Sequence, residues 1–430
     1  MRLTFVSFGS RGDIEPFVTL GRALVQAGHQ VRLLTHAEHL RLAEGSGVEV
    51  AVARGRGVRE LMESDEGRDA LRRTRNPLAL LRRIADLFAP ELHLIYEDTL
   101  RAADGADALL AFPATFPALD VARHLGRPVV HVHHVPAVPT RSFPVPAPYI
   151  SAPTLTPLGN RASYALDAGV LWWLTRGALT RVRGTVLGPR YAGAPRAREA
   201  LAQRRRRAGA VVGVSPHVLP RPRDWPADVV ACGYWWAGGK GWGPLPPATE
   251  AFLADGPPPV FVGLGSTPVP DARATTFELT AAARDAGVRL ILQRGWAGLG
   301  EGGGDDAGVH VIGDVAYDAL FPRVAAVAHH GGAGTTALGL RHGRPTLCMP
   351  AMADQFFWGH RVAALGAGPA PLAVGRLRRG RLASRLTALV ETERFRARAS
   401  GIADALAGED GCAVAVAAVE RFLSRPPRAE

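Results

Sequence analysis

Short unbroken apolar runs that end in turns and lead into amphipathic stretches recur along this chain, and that alternation constrains its fold more than any other feature. An apolar run of about four to eight residues suits a strand buried on both faces, and the amphipathic stretch after it suits a crossover helix. The repeat therefore predicts parallel sheets covered by helices. Residues 3–8 read as a strand, and residues 14–26 follow as a helix with Phe17, Leu20, Leu24 and Val25 on one face. Ala27-Gly28-His29 stops that helix, and residues 30–35 are the next strand. Residues 108–112, 118–125 and 128–133 repeat strand, helix, strand, and 211–214 with 229–232 continue the strands. Strands at 259–264, 288–293, 309–312, 324–329 and 346–350, with a helix over about 272–286, make a second unit of the same kind.

A chain of 430 residues has room for two such units. The stretch GYWWAGGKGWGPLPP at 233–247 is the best linker, which divides the chain into a first domain at 1–232 and a second domain at 248–408. Residues 409–430 are expected to form a helix that packs back on the first domain. Dense prolines at 142–157 predict a long loop. The fold class is α/β, with two parallel-sheet domains facing each other across a cleft.

Three cysteines stand far apart with no C-x-x-C, so neither a zinc site nor a disulfide framework is encoded. That usage, the absence of a leader-like amino terminus and the lack of a long apolar span lead to an expected soluble, cytoplasmic protein. Membrane association is not expected. Basic residues exceed acidic ones, 51 against 39, yet the arginine runs at 204–207 and 376–381 carry no interleaved aromatics or nucleic-acid motif. They read as solvated faces, with no nucleic-acid partner.

The stretch HHGGAGTTALGLRHG, from His329 to Gly343, follows the strand at 324–329 and opens a helix. Glycines there let a ligand approach the backbone, and the first helical amides point outward at the positive end of the helix dipole, so the turn is an anion cradle. Its spacing is neither the dinucleotide G-x-G-x-x-G nor a Walker loop. A structural glycine turn is the alternative.

Residues 329–368, HHGGAGTTALGLRHGRPTLCMPAMADQFFWGHRVAALGAG, closely resemble the donor-binding signature of family 1 glycosyltransferases, most of all the bacterial natural-product and sterol-type members. FGSRGDIEPFVTLGRAL at 8–24 and QRGWA at 293–297 are similar to those members as well. The resemblance implies a GT-B fold of two Rossmann-like domains, with a nucleotide-sugar on the second and an acceptor on the first. It places His330 at the pyrophosphate-binding histidine, with Gly332, Ala333, Gly334 and Thr335 as phosphate donors. His329 receives no role. Ser266 stands where a strand gives way to a helix and is either a second phosphate contact or a plain N-cap. Asp354 and Gln355 match the pair that holds sugar hydroxyls, and Trp296 and Val315 fall in the nucleobase region.

Sugar transfer needs a base for the acceptor hydroxyl and stabilisation of the leaving diphosphate. Asp13, in GDIEP at the first strand-to-helix turn, is the candidate base, with N-capping of the helix at 14–26 as the alternative. His133, Tyr164 and Trp172 are the expected acceptor contacts, although Trp172 and Trp173 point apart on a helix and one belongs to the core. No Asp-x-Asp motif occurs, and the cradle with His330 offsets diphosphate charge, so no metal and no cofactor are expected. The expected activity is inverting transfer from a UDP- or TDP-sugar to a hydroxyl on a lipophilic acceptor such as a polyketide, macrolide, glycopeptide or sterol-like molecule, by a monomer or homodimer. A nucleotide-sugar epimerase and a non-transferring auxiliary protein are the alternatives.

Overall fold

The computed structural model describes residues 1–73, 76–147, 149–150, 153–193, 207–236, 243–267, 269, 271–300, 308–352 and 354–424. One sheet comprises β1 (Arg2–Val6), β2 (Gln30–Thr35), β3 (Glu49–Val52), β4 (Ala108–Ala111), β5 (Val129–His133), β6 (Gly209–Val212) and β7 (Val229–Ala231), in the order β3-β2-β1-β4-β5-β6-β7. The other comprises β8 (Val260–Gly263), β9 (Leu290–Gln293), β10 (Val309–Ile312), β11 (Ala326–His329) and β12 (Thr346–Cys348), in the order β10-β9-β8-β11-β12. The pairings are parallel throughout, as in β1 with β4 and β8 with β11. Central strands such as β4 and β8 are buried at every position, which is why they read as unbroken apolar runs. Edge strand β3 exposes Glu49 and Val52 and gave no such signal.

Strand order reverses at β1/β4 in the first sheet and at β8/β11 in the second. In open parallel sheets the crevice for a ligand opens beyond the carboxyl ends of strands at that reversal. The turns after β1, β8 and β11 are therefore the places where a site belongs; Ser266 and His330 lie in the last two, and Asp13 lies in the first turn of the helix that follows β1.

Between β3 and β4 the chain makes an excursion of helices, among them Val58–Glu63, Pro77–Phe88 and Leu92–Ala102. The proline-dense segment is irregular where described and gives way at Pro157 to a helix of 31 residues, Pro157–Leu187, capped by Thr156. Arg183 anchors this helix, its Nε and Nη2 donating to Asp120 at 2.7 and 3.0 Å while Tyr96 donates to the same carboxylate at 2.6 Å. Every oxygen of that buried carboxylate is thereby satisfied, the condition under which a buried ion pair is tolerated.

The last helix, Gly411–Leu423, returns to the first sheet, where Ala415, Ala418, Val419 and Phe422 pack with Phe5, Leu110 and Val211. Phe422 lies so close to β6 that a Cβ at Gly209 would fall 2.2 Å from its ring. His29 Nε2 and Glu420 Oε1, 3.0 Å apart, hold the same contact at its rim. Tyr234 and Trp235, at the start of the expected linker, are buried, while residues 237–242 lie outside the described residues. Of the basic runs, residues 204–206 lie outside the described residues, Arg207 faces Asp228 at 3.6 Å, and Arg379 pairs with Asp285. Among the described residues no helix is long and apolar enough to cross a membrane.

Candidate active site

The strand, glycine turn and helix start form as the glycines require. Gly331 has φ +92°, and a Cβ there would fall 2.8 Å from the Gln355 carbonyl oxygen, so only glycine fits. Gly332 is the N-cap of the helix Ala333–Arg341, which begins two residues before the apolar pattern does. The amides of Ala333, Gly334 and Thr335 are thus first-turn donors with no acceptor inside the helix. The His330 ring is wedged between two turns: a Cβ at Gly332 would meet its Nε2 at 2.4 Å and one at Gly265 its Cε1 at 2.9 Å. Burial pushes the His330 pKa down to about 4, and its Nδ1 has no hydrogen-bond partner among the described residues. His330 is consequently a neutral N–H donor near neutral pH, where the sequence argument used it to offset charge. The N-capping alternative for Ser266 is excluded, because the next helix starts at Ala272 with Asp271 as its cap, the carboxylate accepting from Ala274 N at 2.9 Å.

Asp354 and Gln355 open the helix Gln355–Leu365 and behave differently from each other. Asp354 Oδ2 accepts from Trp358 Nε1 at 2.7 Å. Burial raises its pKa to about 6, against the Trp358 hydrogen bond and the charge of His134, and Asp13 adds to the rise. Gln355 is buried, and its carboxamide is taken up locally: Oε1 accepts from Ala351 N and Met352 N at 2.8 and 3.0 Å, and Nε2 donates to Thr267 Oγ1 at 3.1 Å. It ties the loop before Asp354 to the turn after β8.

Asp13 sits at the third position of the helix Arg11–Gln26, whose N-cap is Ser10; its expected alternative as an N-cap is corrected accordingly. Its Oδ2 accepts from Ser10 N at 2.8 Å and Ser10 Oγ at 3.0 Å, the reciprocal side of a capping box. Gly9, with φ +152°, makes room, since a Cβ there would lie 2.4 Å from Oδ2. The other oxygen, Oδ1, is 3.2 Å from His134 Nε2. Burial raises the Asp13 pKa, but His134 and the two Ser10 donors outweigh it and hold the carboxyl below its ordinary value. His134, which follows β5 and packs its ring on Phe112 at 5.2 Å, reads from sequence only as a histidine of HVHH that lines the acceptor cleft or caps the strand end, with no link to Asp13. Its signal was there in HVHH, but only the order β1-β4-β5 brings the end of β5 to the end of β1.

Arg11, on the same helix as Asp13, is held above its ordinary pKa: burial lowers it, and Glu15 with Tyr317 and Asp314 of the second domain more than restores it. Tyr317 donates to Gln293 Oε1 at 2.6 Å and Gln293 donates to Asp314 at 3.2 Å, which fixes the turns after β9 and β10. Trp296 is half-buried there, its backbone N–H donating to Gly265 O at 3.0 Å and its indole 5.8 Å from the Arg59 guanidinium. Val315, by contrast, is a core residue beside Phe261 and Leu320.

The expected acceptor contacts do not form a common wall. His133 is buried on β5 with its ring 5.5 Å from Phe112. Tyr164 is buried against the proline segment and donates to Phe143 O at 3.4 Å. Trp172 is half-buried under Arg176 and stands about 12 Å further along the helix. The aromatic contact that does border the site is Phe143 with Phe357, 5.3 Å apart, which joins the proline segment to the Asp354 helix.

Known proteins resemble this chain in sequence and in fold. The family described as "Erythromycin biosynthesis protein CIII-like, C-terminal domain" matches residues 306–420. The chain is 32% identical to a sterol 3-beta-glucosyltransferase of Arabidopsis thaliana over 99% of its own length and 68% of that protein. It is 34% identical to the O-mycaminosyltylonolide 6-deoxyallosyltransferase of Streptomyces fradiae over 98% of its own length and 97% of the relative. A sterol 3-beta-glucosyltransferase of Yarrowia lipolytica is far longer, and the chain spans 29% of it at 31% identity, with 98% of this chain aligned. The solved structure of glycosyltransferase VinC in complex with DTDP matches with a TM-score of 0.64 at 20% identity, covering 99% of this chain and all of that one, and two facing parallel-sheet domains of this kind are the GT-B fold. The chain belongs to the glycosyltransferase family of these relatives, the natural-product and sterol type.

Proposed function

We propose that the enzyme transfers a sugar from a TDP- or UDP-sugar to a hydroxyl of a lipophilic small molecule, with inversion and without a metal. The observation that carries this reading is the meeting of Asp13, His134 and Asp354, an acceptor-side carboxylate and a donor-side carboxylate whose charges act on each other across the cleft. The acceptor hydroxyl gives its proton to Asp13 Oδ1 as its oxygen attacks the anomeric carbon, and the bond from that carbon to the diphosphate breaks with its electron pair on the phosphate oxygen. The first-turn amides of Ala333, Gly334 and Thr335, with the His330 N–H, meet the charge that develops there. Attack from the Asp13 side on a leaving group held at His330 is a single displacement, which inverts the anomeric centre. Ser266 is placed to add a phosphate contact, Asp354 to hold sugar hydroxyls and Trp296 to face the base. The Streptomyces relative and the structure with DTDP support thymidine donors, and the sterol relatives support apolar acceptors. Unpaired Cys232, Cys348 and Cys412 support a reducing cytoplasm as its location.

The test is a mass-spectrometric screen of TDP- and UDP-sugars against hydroxylated apolar acceptors, run with EDTA and with Asp13→Asn beside the wild type, with product anomers assigned by NMR. Retention, a requirement for divalent metal, or full activity of Asp13→Asn would overturn the mechanism.

A further inference from the structure

The histidine before His330 plays no part in the reaction described above, yet it is fully buried at the end of β11 and both ring nitrogens face protein atoms. Its Nδ1 accepts the Gly331 N–H at 3.0 Å, and its Nε2 lies 3.9 Å from Cys348 Sγ, on the β12 residue paired with it. An Nδ1 that accepts carries a bare lone pair, so the ring proton belongs on Nε2, directed at sulfur. Burial, with the neighbouring His330 adding to it, holds the His329 pKa well below the ordinary histidine value, in keeping with that neutral tautomer.

The bond matters because of where it falls. Gly331 is the pivot of the cradle, and a glycine lets the peptide on either side of it rotate at little cost. His330 precedes it and Gly332, the cap of the cradle helix, follows. With the Gly331 N–H drawn inward, the His330 ring stays wedged between Gly265 and Gly332, and the helix amides face out. We propose that His329 is a positioning residue of the donor site, whose Nδ1 locks the Gly331 peptide and so presents His330 and the first-turn amides to a diphosphate. This rests on the cradle being the diphosphate site.

The test exploits side-chain geometry: in Asn the Oδ1 acceptor stands at the position of Nδ1, whereas in Gln the acceptor lies one bond further out. TDP and thymidine binding are measured by calorimetry for the wild type and for His329→Asn, His329→Gln and His329→Phe, with unfolding temperatures recorded alongside. The Asn variant is expected to bind TDP within about threefold of the wild type, and the Gln and Phe variants to lose roughly tenfold or more. Thymidine, which carries no phosphate, is expected to bind all four alike. Should Phe prevent folding, the Asn and Gln pair decides. Equal TDP affinity in all variants, loss in Asn as large as in Gln, or parallel loss of thymidine overturns the lock. Failure of the wild type to bind TDP at all would instead overturn the assignment of the cradle.

Discussion

Asp354 is a carboxylate kept at a cost to the fold, and replacing it with Asn should show how large that cost is. The rise in pKa from 3.8 to about 6, at about 1.4 kcal/mol per pH unit, corresponds to about 3 kcal/mol of destabilisation when the group is ionised. The side chain is half-open to water, which brings the expected figure to roughly 2 kcal/mol. Because the folded pKa lies above the unfolded one, folding takes up a proton between the two values. The penalty is therefore absent below pH 3.8, grows as pH rises toward 6, and is complete above it. Asn removes the charge and keeps an oxygen to accept from Trp358 Nε1. Asp354→Asn should raise Tm by roughly 4 °C at pH 8 and by about a third of that at pH 4.5, while sugar transfer falls sharply. Thermal unfolding of both proteins at the two pH values checks this. No gain at pH 8, or a gain independent of pH, would refute burial of charge as its source.

His134→Ala removes the donor 3.2 Å from Asp13 Oδ1. Burial then dominates at Asp13, its pKa rises, and the acid limb of the kcat/KM profile should move to higher pH; an unmoved limb would show that the pair does not govern the base. Gly332→Ala places a Cβ 2.4 Å from His330 Nε2, and donor KM should rise on the order of 10- to 100-fold with acceptor KM little changed. Phe422→Ala empties the contact under Gly209 and should cost about 3–5 kcal/mol in unfolding experiments while TDP affinity stays at the wild-type value.

The central strands were legible in the sequence because burial on both faces leaves an unbroken apolar run, as in the VFVG of β8. Edge strand β3 was not, because its exposed ends break the apolar run; the helices between it and β4 were not read either, although the one at Pro77–Phe88 carries an amphipathic pattern. The donor cradle was legible for a local reason: HHGGAGTT carries strand end, turn and helix start within a few residues. The acceptor side depends on which strands lie side by side, and that is a property of the sheet. Asp13 was recognised but its helix position was read three residues off, as the N-cap rather than the third residue, because Ser10 caps the helix ahead of its apolar face. His134 was passed over, and His133 preferred, for want of the strand order that turns His134 toward Asp13.

The two donor-site titrations run in opposite directions, and this separates the sugar's contact from the diphosphate's. His330, with its pKa held down at about 4 by burial, gains an anionic partner when diphosphate binds, so its pKa rises and the protein takes up protons at mildly acid pH. Asp354, with its pKa raised to about 6, gains hydroxyl donors only when a sugar is attached; these favour the carboxylate, so its pKa falls and the protein releases protons. Free TDP carries a terminal phosphate that itself titrates at about pH 6 and is esterified in a TDP-sugar, so each ligand is compared between proteins. Calorimetry at pH 6 in buffers of different ionisation enthalpy should find that a TDP-sugar releases more protons on binding the wild type than on binding Asp354→Asn, while TDP gives the same count with both. Identical counts for the TDP-sugar in the two proteins would mean that the sugar leaves Asp354 untouched, and the hydroxyl contact would then have to be sought elsewhere in the cleft.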